Sequence, residues 1–217
     1  MKNQKNSLNH RTIYVGTNKN IEGVVNLNLL GINYFDVEID LNRYDALVFT
    51  SKNGVLSLKK YDLHNVNSYA ISTVTANFIK DSGGNVVYTG IDGYGDKFAY
   101  ELIEKLQGKK VLYIRAKEVV SNLVNILKSN NIDCDEIITY ETKCEDNLDI
   151  KNIDKNGIII FSSPSTVKCF LKKYSWDNTY HAIAIGDTTA SYFPEYFNYL
   201  VSSQKTLKSC IELAKTL

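Results

Sequence analysis

One stretch of this chain is written twice. Asp45-Ala-Leu-Val-Phe-Thr-Ser-Lys-Asn-Gly-Val55 is echoed by Gly157-Ile-Ile-Ile-Phe-Ser-Ser-Pro-Ser-Thr-Val167, with Phe49 and Phe161 112 residues apart. Leu58-Lys-Lys-Tyr61 closes the first copy and Leu171-Lys-Lys-Tyr174 the second. Ala70-Ile-Ser-Thr-Val-Thr-Ala76 matches Ala184-Ile-Gly-Asp-Thr-Thr-Ala190 at an offset of 114, and Ile13-Tyr-Val-Gly-Thr-Asn18 resembles Leu112-Tyr-Ile-Arg-Ala-Lys117 at 99. A repeat of about 100 residues is domain-sized. Two copies indicate a duplicated domain, because stacked-repeat architectures need three or more units.

Apolar runs of strand length alternate with helix-periodic segments. Strands are expected at 12–16, 33–38, 46–49, 69–71, 85–88, 110–115, 135–139, 158–161, 182–185 and 199–202. Helices are expected at 20–30, 53–60, 97–107, 118–128, through 173 after Phe161, and at 206–215. This alternation predicts an α/β, flavodoxin-like fold of two similar domains, each a parallel sheet flanked by helices. Segments 36–41 and 139–145 occupy equivalent places, each after an opening strand–helix–strand unit. If the chain crosses between domains at both, 40–139 forms one continuous domain and 1–37 with 143–217 a split one. The two-stranded linker would then hinge an interdomain cleft.

Composition narrows the functional classes. The formal net charge is +1, which argues against a broad basic surface for nucleic acid. No apolar run approaches the ~18 residues of a membrane span. Residues 1–11 read as a polar lead-in without the apolar core of a secretory signal. Cys134, Cys144, Cys169 and Cys210 are scattered, so reduced thiols are expected rather than a disulfide framework or metal site. His10, His64 and His181 have no metal-ligand spacing. These features predict a cytoplasmic protein without metal.

Four groups of residues could carry chemistry. Thr50 and Ser51, and Ser162, Ser163 and Ser165, lie where a strand ends and a helix begins. Hydroxyls there cap helices, and the same turns present backbone N–H groups to carboxylate or phosphate. Ligands of open parallel sheets bind at this carboxyl edge. Ser72–Ala76, with Thr75, and Gly186–Ala190, with Thr188 and Thr189, form a second such pair. Capping alone accounts for these hydroxyls as well. Tyr140, in Ile138-Thr-Tyr-Glu-Thr142, stands at the expected crossing, where a neutral phenol can donate a proton. Arg115 ends a strand and suits either a substrate carboxylate or an ion pair with Glu118. Nucleotide-loop, serine-elbow and zincin signatures are missing, and Gly90–Gly95 lacks dinucleotide-fingerprint spacing.

Taken together, Val48-Phe-Thr-Ser-Lys-Asn-Gly-Val55, Tyr140-Glu-Thr142, Phe161-Ser-Ser-Pro-Ser-Thr-Val167 and Ala184-Ile-Gly-Asp-Thr-Thr-Ala190 resemble uroporphyrinogen-III synthases, in order and spacing across 14–217. The resemblance implies a HemD-like pair of domains with the substrate between them. It implies cyclisation of hydroxymethylbilane, a linear tetrapyrrole, to uroporphyrinogen III, with loss of water and inversion of ring D. It implies no cofactor, and transient contact with the preceding pathway enzyme. Tyr140 matches the family's proposed proton donor, and Ser51, Thr75, Ser163 and Thr189 fall on positions of its cleft. The chain departs from the family pattern at Gly16-Thr-Asn18, at Ala116 and Lys117, and at Ser72. A non-enzymatic two-domain module closing on a small anion accounts for the duplication equally well, but gives no reason for Tyr140.

Overall fold

The computed structural model describes residues 11–17, 20–146 and 151–217. Residues 1–10 of the expected polar lead-in lie outside them. By contacts the chain divides into two compact units, one of residues 1–31 and 143–217, the other of 32–142.

In the second unit β4 (Ala46–Phe49) is central. It pairs in parallel with β5 (Asn67–Ala70) on one side and β7 (Lys110–Ala116) on the other. Beyond them lie β6 (Asn85–Thr89) and β8 (Asp133–Cys144), also parallel to their neighbours, and β3 (Leu30–Tyr34) takes the outer edge beside β8. In the first unit β9 (Ile158–Phe161) is central. It is flanked in parallel by β1 (Ile13–Gly16) and β10 (His181–Ala184), with β2 (Val25–Leu27) and β11 (Tyr199–Val201) outside.

The orders β8-β7-β4-β5-β6 and β2-β1-β9-β10-β11 place corresponding strands alike, although the chain enters the two sheets at different strands. The register repeats as well: Phe49 is paired with Ala70, and Phe161 with Ala184. The sequence duplication is therefore a duplication of strand placement. Both β3 and β8 run across the boundary between the units.

The central strands are apolar at every position because helices cover both faces, and successive side chains alternate between two cores. Ala46 and Val48 join the core under α3 (Gly95–Leu106) and α4 (Leu123–Ser129). Leu47 and Phe49 join the opposite core, with α1 (Lys52–Ser57) and α2 (Thr73–Asp81). In β9, Ile158 and Ile160 pack with Cys210 and Ala214 of α7 (Leu207–Ala214). Ile159 and Phe161 pack with Val167 and Phe170 of α5 (Pro164–Lys173).

Three expectations need correction. Segment 20–30 is not a helix: after a turn it forms β2 and enters β3. Its apolar residues Val25, Leu27 and Leu29 alternate with period two, and Gly23 sits at φ +78°, which a helix does not allow. The Asn26 side chain also takes both the N–H and the carbonyl of Ile21, each at 2.9 Å, competing with helical bonds.

The helix expected over 118–128 begins only at Leu123. Tertiary bonds hold the preceding loop, with the Asn122 N–H donating to Asp96 Oδ1 at 2.6 Å. The stripe that remains helical and buried is Leu123, Ile126 and Leu127.

The third correction concerns the thiols. Cys144 and Cys169 form a disulfide, while Cys134 and Cys210 are free and buried. Cys144 ends β8 and Cys169 lies within α5, so the pair meets only once that strand passes that helix.

Candidate active site

The proposed site residues lie at the carboxyl ends of the two central strands and their neighbours. Each unit is described by itself.

In the second unit, Ser51 is the N-cap of α1. Its backbone is extended, and its hydroxyl accepts the Asn53 N–H at 3.1 Å. The same hydroxyl lies near enough to the Tyr140 phenol to favour its ionised form. Tyr140 is 6% exposed. A register shift at the end of the β7–β8 ladder sets it opposite Ala116, and the Lys117 N–H donates to its carbonyl at 2.8 Å. Burial pushes its phenol above the ordinary tyrosine value, and the Ser51 hydroxyl offsets part of that shift. The group is thus a neutral donor through the physiological range. The Tyr34 ring lies 6.4 Å from the Tyr140 ring, centre to centre.

One turn away, Ser72 caps α2 by accepting the Thr75 N–H at 3.4 Å, and its hydroxyl lies 3.3 Å from that of Thr75. Thr75 is 3% exposed. Arg115 donates from Nε to Glu136 Oε2 at 2.6 Å, and from Nη1 to the carbonyls of Ala116 and Lys117 at 2.9 and 3.0 Å. Its ion partner is Glu136, on the neighbouring strand β8. A substrate carboxylate would have to use donors these contacts leave over.

In the first unit, Ser163 caps α5 through a reciprocal capping box with Thr166, and Pro164 opens the helix. Ser162 Oγ donates to the Gly16 carbonyl at 2.7 Å, tying the turn to β1. Ser165 is exposed. Gly186 precedes α6 (Asp187–Ala190), and its carbonyl accepts the Thr189 N–H at 2.9 Å. Thr188 is exposed, whereas Thr189 is as buried as Thr75, at 3%.

The duplication thus preserves both levels of the motif. Thr75 and Thr189 are buried third-position threonines behind a cap, while Ser165 and Thr188 face solvent. Sequence reasoning overlooked Tyr113, a fully buried tyrosine bonded to Thr50 at 2.9 Å. Its one sequence signal is a phenol set inside an otherwise aliphatic strand.

Fold and site together define a duplicated α/β protein whose strand-end turns are rich in hydroxyls and backbone donors, with Tyr140 buried beside them in one unit. The family model described as uroporphyrinogen-III synthase HemD matches residues 23–212. A crystal structure of uroporphyrinogen-III synthetase from Helicobacter pylori 26695 superposes with a TM-score of 0.77 at 32% identity, covering 95% of this chain and 99% of that one. The chain belongs to the uroporphyrinogen-III synthase family, whose members are enzymes of porphyrin biosynthesis.

A porphyrin biosynthesis protein HemD from Ruminiclostridium josui is 29% identical over 191 residues, 80% of this chain; the aligned chain spans only 38% of that protein's length. A mutant uroporphyrinogen III synthase from the extremely thermophilic bacterium Thermus thermophilus shares the fold at TM-score 0.50 and 14% identity, over 95% and 98% of the two chains. No helix among the described residues is long and apolar enough to cross a membrane.

Proposed function

We propose that this chain cyclises hydroxymethylbilane to uroporphyrinogen III, acting as a lyase with Tyr140 as its catalytic residue. The observation that carries this reading is the buried Tyr140, set opposite Ala116 at the end of the β7–β8 ladder, in a chain of this family. Tyr140 donates a hydrogen bond, then its proton, to the departing hydroxyl of the hydroxymethyl group. The C–O bond breaks and water leaves. The resulting electrophile is attacked by the substituted α-carbon of ring D, giving a spirocyclic intermediate; the bond from that carbon to the methylene of ring C then breaks, the methylene re-bonds to the free α-carbon of ring D, and the proton that this carbon loses as the pyrrole regains aromaticity returns to the phenolate. Because the unguided ring closure gives isomer I, the protein's main contribution is conformational.

The acetate and propionate carboxylates suit the strand-end turns of each unit, which offer backbone N–H groups and the hydroxyls of Ser51 and Thr75, with Arg115, in one, and of Ser163, Ser165, Thr188 and Thr189 in the other. Thr75 and Thr189, being buried, serve through the turns they hold. Residues 1–37 with 143–217, and 40–139, are proposed as the working domains, linked by 36–41 and 139–145. The protein is proposed to be a cytoplasmic monomer that takes its unstable substrate in transient contact with the enzyme that makes it.

The decisive assay supplies fresh hydroxymethylbilane and separates the isomers of the oxidised product. Uroporphyrin III in excess of isomer I is expected; isomer I alone, at the spontaneous rate, overturns the reading.

The pH dependence carries a second expectation. Tyr140 must be protonated to donate, and burial raises its pKa above 10, so its ionisation should not reduce turnover between about pH 7 and 9. A rate profile compared with that of Tyr140→Phe tests this. An alkaline limb centred below pH 10 that vanishes in the variant would contradict the assignment.

A further inference from the structure

The outer edge of the second unit sets a second phenol against Tyr140. There β3 runs antiparallel to β8: the Phe35 N–H donates to the Thr139 carbonyl at 2.9 Å, and two residues back the Asn33 side-chain amide donates to Glu141 Oε1 at 3.2 Å. These contacts flank Tyr34 and Tyr140 and place them opposite each other, where cross-strand side chains meet. The two ring centres lie 6.4 Å apart, with the planes inclined at 49°. The Tyr34 phenol donates a long bond, 3.4 Å, to Asn53 Oδ1 in the first turn of α1, which orients the ring without burying it. Tyr140 is 6% exposed and Tyr34 42%, so the aromatic surface that this pair presents is that of Tyr34. The acid of the flanking pair, Glu141, is already matched by Lys117, whose Nζ lies 3.0 Å from Glu141 Oε2.

In the reaction proposed above, positive charge arises at a defined place. Tyr140 passes its proton to the hydroxyl, the C–O bond breaks, and water departs, leaving a phenolate. The lone pair of the pyrrole nitrogen delocalises toward the former hydroxymethyl carbon, and that ring becomes an azafulvenium cation. The leaving oxygen has to be within hydrogen-bond reach of the Tyr140 phenol, so the cation forms beside Tyr34. The negative face of an aromatic ring attracts a cation within about 6 Å of its centre.

We propose that Tyr34 is a further catalytic residue of this reaction: its exposed ring face stabilises the azafulvenium cation that forms on the hydroxymethyl-bearing pyrrole as water leaves. Tyr34 gives and takes no proton and forms no bond. Its contribution begins only as the C–O bond breaks, so it lowers the barrier without tightening the binding of substrate. The inference rests on the reading of Tyr140 as the proton donor of a synthase.

The test varies the charge on the ring face at nearly constant size. Phenylalanines bearing none, one, two and three fluorines are placed at position 34 of the full chain, each fluorine withdrawing negative charge from the face. Rates are taken with enzyme in excess over hydroxymethylbilane, so that product release does not enter. Tyr34→Phe should stay within about threefold of the parent, because the face is retained. The rate should then fall in steps, to about 10-fold below Tyr34→Phe with three fluorines, and Tyr34→Leu should lie at about that level. The steady-state KM should stay within about twofold throughout. A rate independent of fluorination overturns the proposal, even where Tyr34→Leu is slow, since that is what a merely structural ring would give. A Tyr34→Phe rate as low as that of Tyr140→Phe also overturns it, because the effect would then lie in the hydroxyl. If the parent makes isomer III and the series is flat, only the role of Tyr34 falls. If the parent makes isomer I alone, the synthase reading falls and this inference with it.

Discussion

Replacing Tyr140 by Phe is expected to lower the rate of uroporphyrinogen III formation about 10- to 100-fold while leaving the fold intact. The variant keeps the ring that fills the buried position and its contact with Tyr34. What it loses is the O–H that donates to the leaving hydroxyl. A positioned general acid is worth about 10²–10⁴-fold. Here the loss should sit at or below the low end of that range, because the electron-rich pyrrole assists expulsion of the hydroxyl and the ring-D inversion depends on how the chain is folded in the site.

The isomer ratio should consequently fall less than the rate, since conformational control survives. Ser51 keeps its cap on α1, accepting from Asn53, so the stability cost should be about 1 kcal/mol. Initial rates with isomer separation, beside far-ultraviolet circular dichroism and a thermal scan, measure all three. Unchanged turnover would remove Tyr140 from the mechanism.

Breaking the Cys144–Cys169 bond should cost about 3.5 kcal/mol, the loop-closure value for a sequence separation of 25. The closed segment includes β9, the central strand of its sheet, so part of that constraint is native structure already and the measured figure should not exceed this value. Cys144→Ala is the better variant, because Cys144 is half-buried whereas Cys169 is fully buried against Phe161 and Phe170. Its urea midpoint should fall to that of the parent in reductant, and reductant should not move it further.

Under denaturing, non-reducing conditions the parent should show two titratable thiols. In the native state these react slowly. Both are buried, and burial pushes the Cys134 thiol up to about 12, leaving little thiolate. Four thiols in freshly purified protein would show that the pair is open.

The duplication made the repeating topology legible before any coordinates. Aligning Phe49 with Phe161 and Ala70 with Ala184 anticipated the ladders in which those residues pair. The all-apolar runs at 46–49 and 158–161 announced strands covered on both faces. Where local pattern failed, longer-range bonds had taken over: Asp96 holding Asn122 in the loop ahead of α4, and the pairing with β1 that draws Val25–Leu27 into a strand.

The candidate site was legible to the same depth. Tyr140 and the Ser and Thr clusters could be picked out because strand ends and caps are local features. That Arg115 pairs with Glu136, and that Thr75 and Thr189 lie beneath the surface, could not, because each depends on which strands are neighbours.

From its own residues, then, the chain announced a twice-used α/β unit with hydroxyl-bearing strand ends and one tyrosine apart from the rest, since strand period, capping and repetition are written within a few residues of one another. Only the tertiary structure chose the partners: Cys144 for Cys169, Tyr113 for Thr50, Arg115 for Glu136. Those pairings join positions 25, 63 and 21 residues apart, and such contacts exist only after parallel strands have been laid side by side.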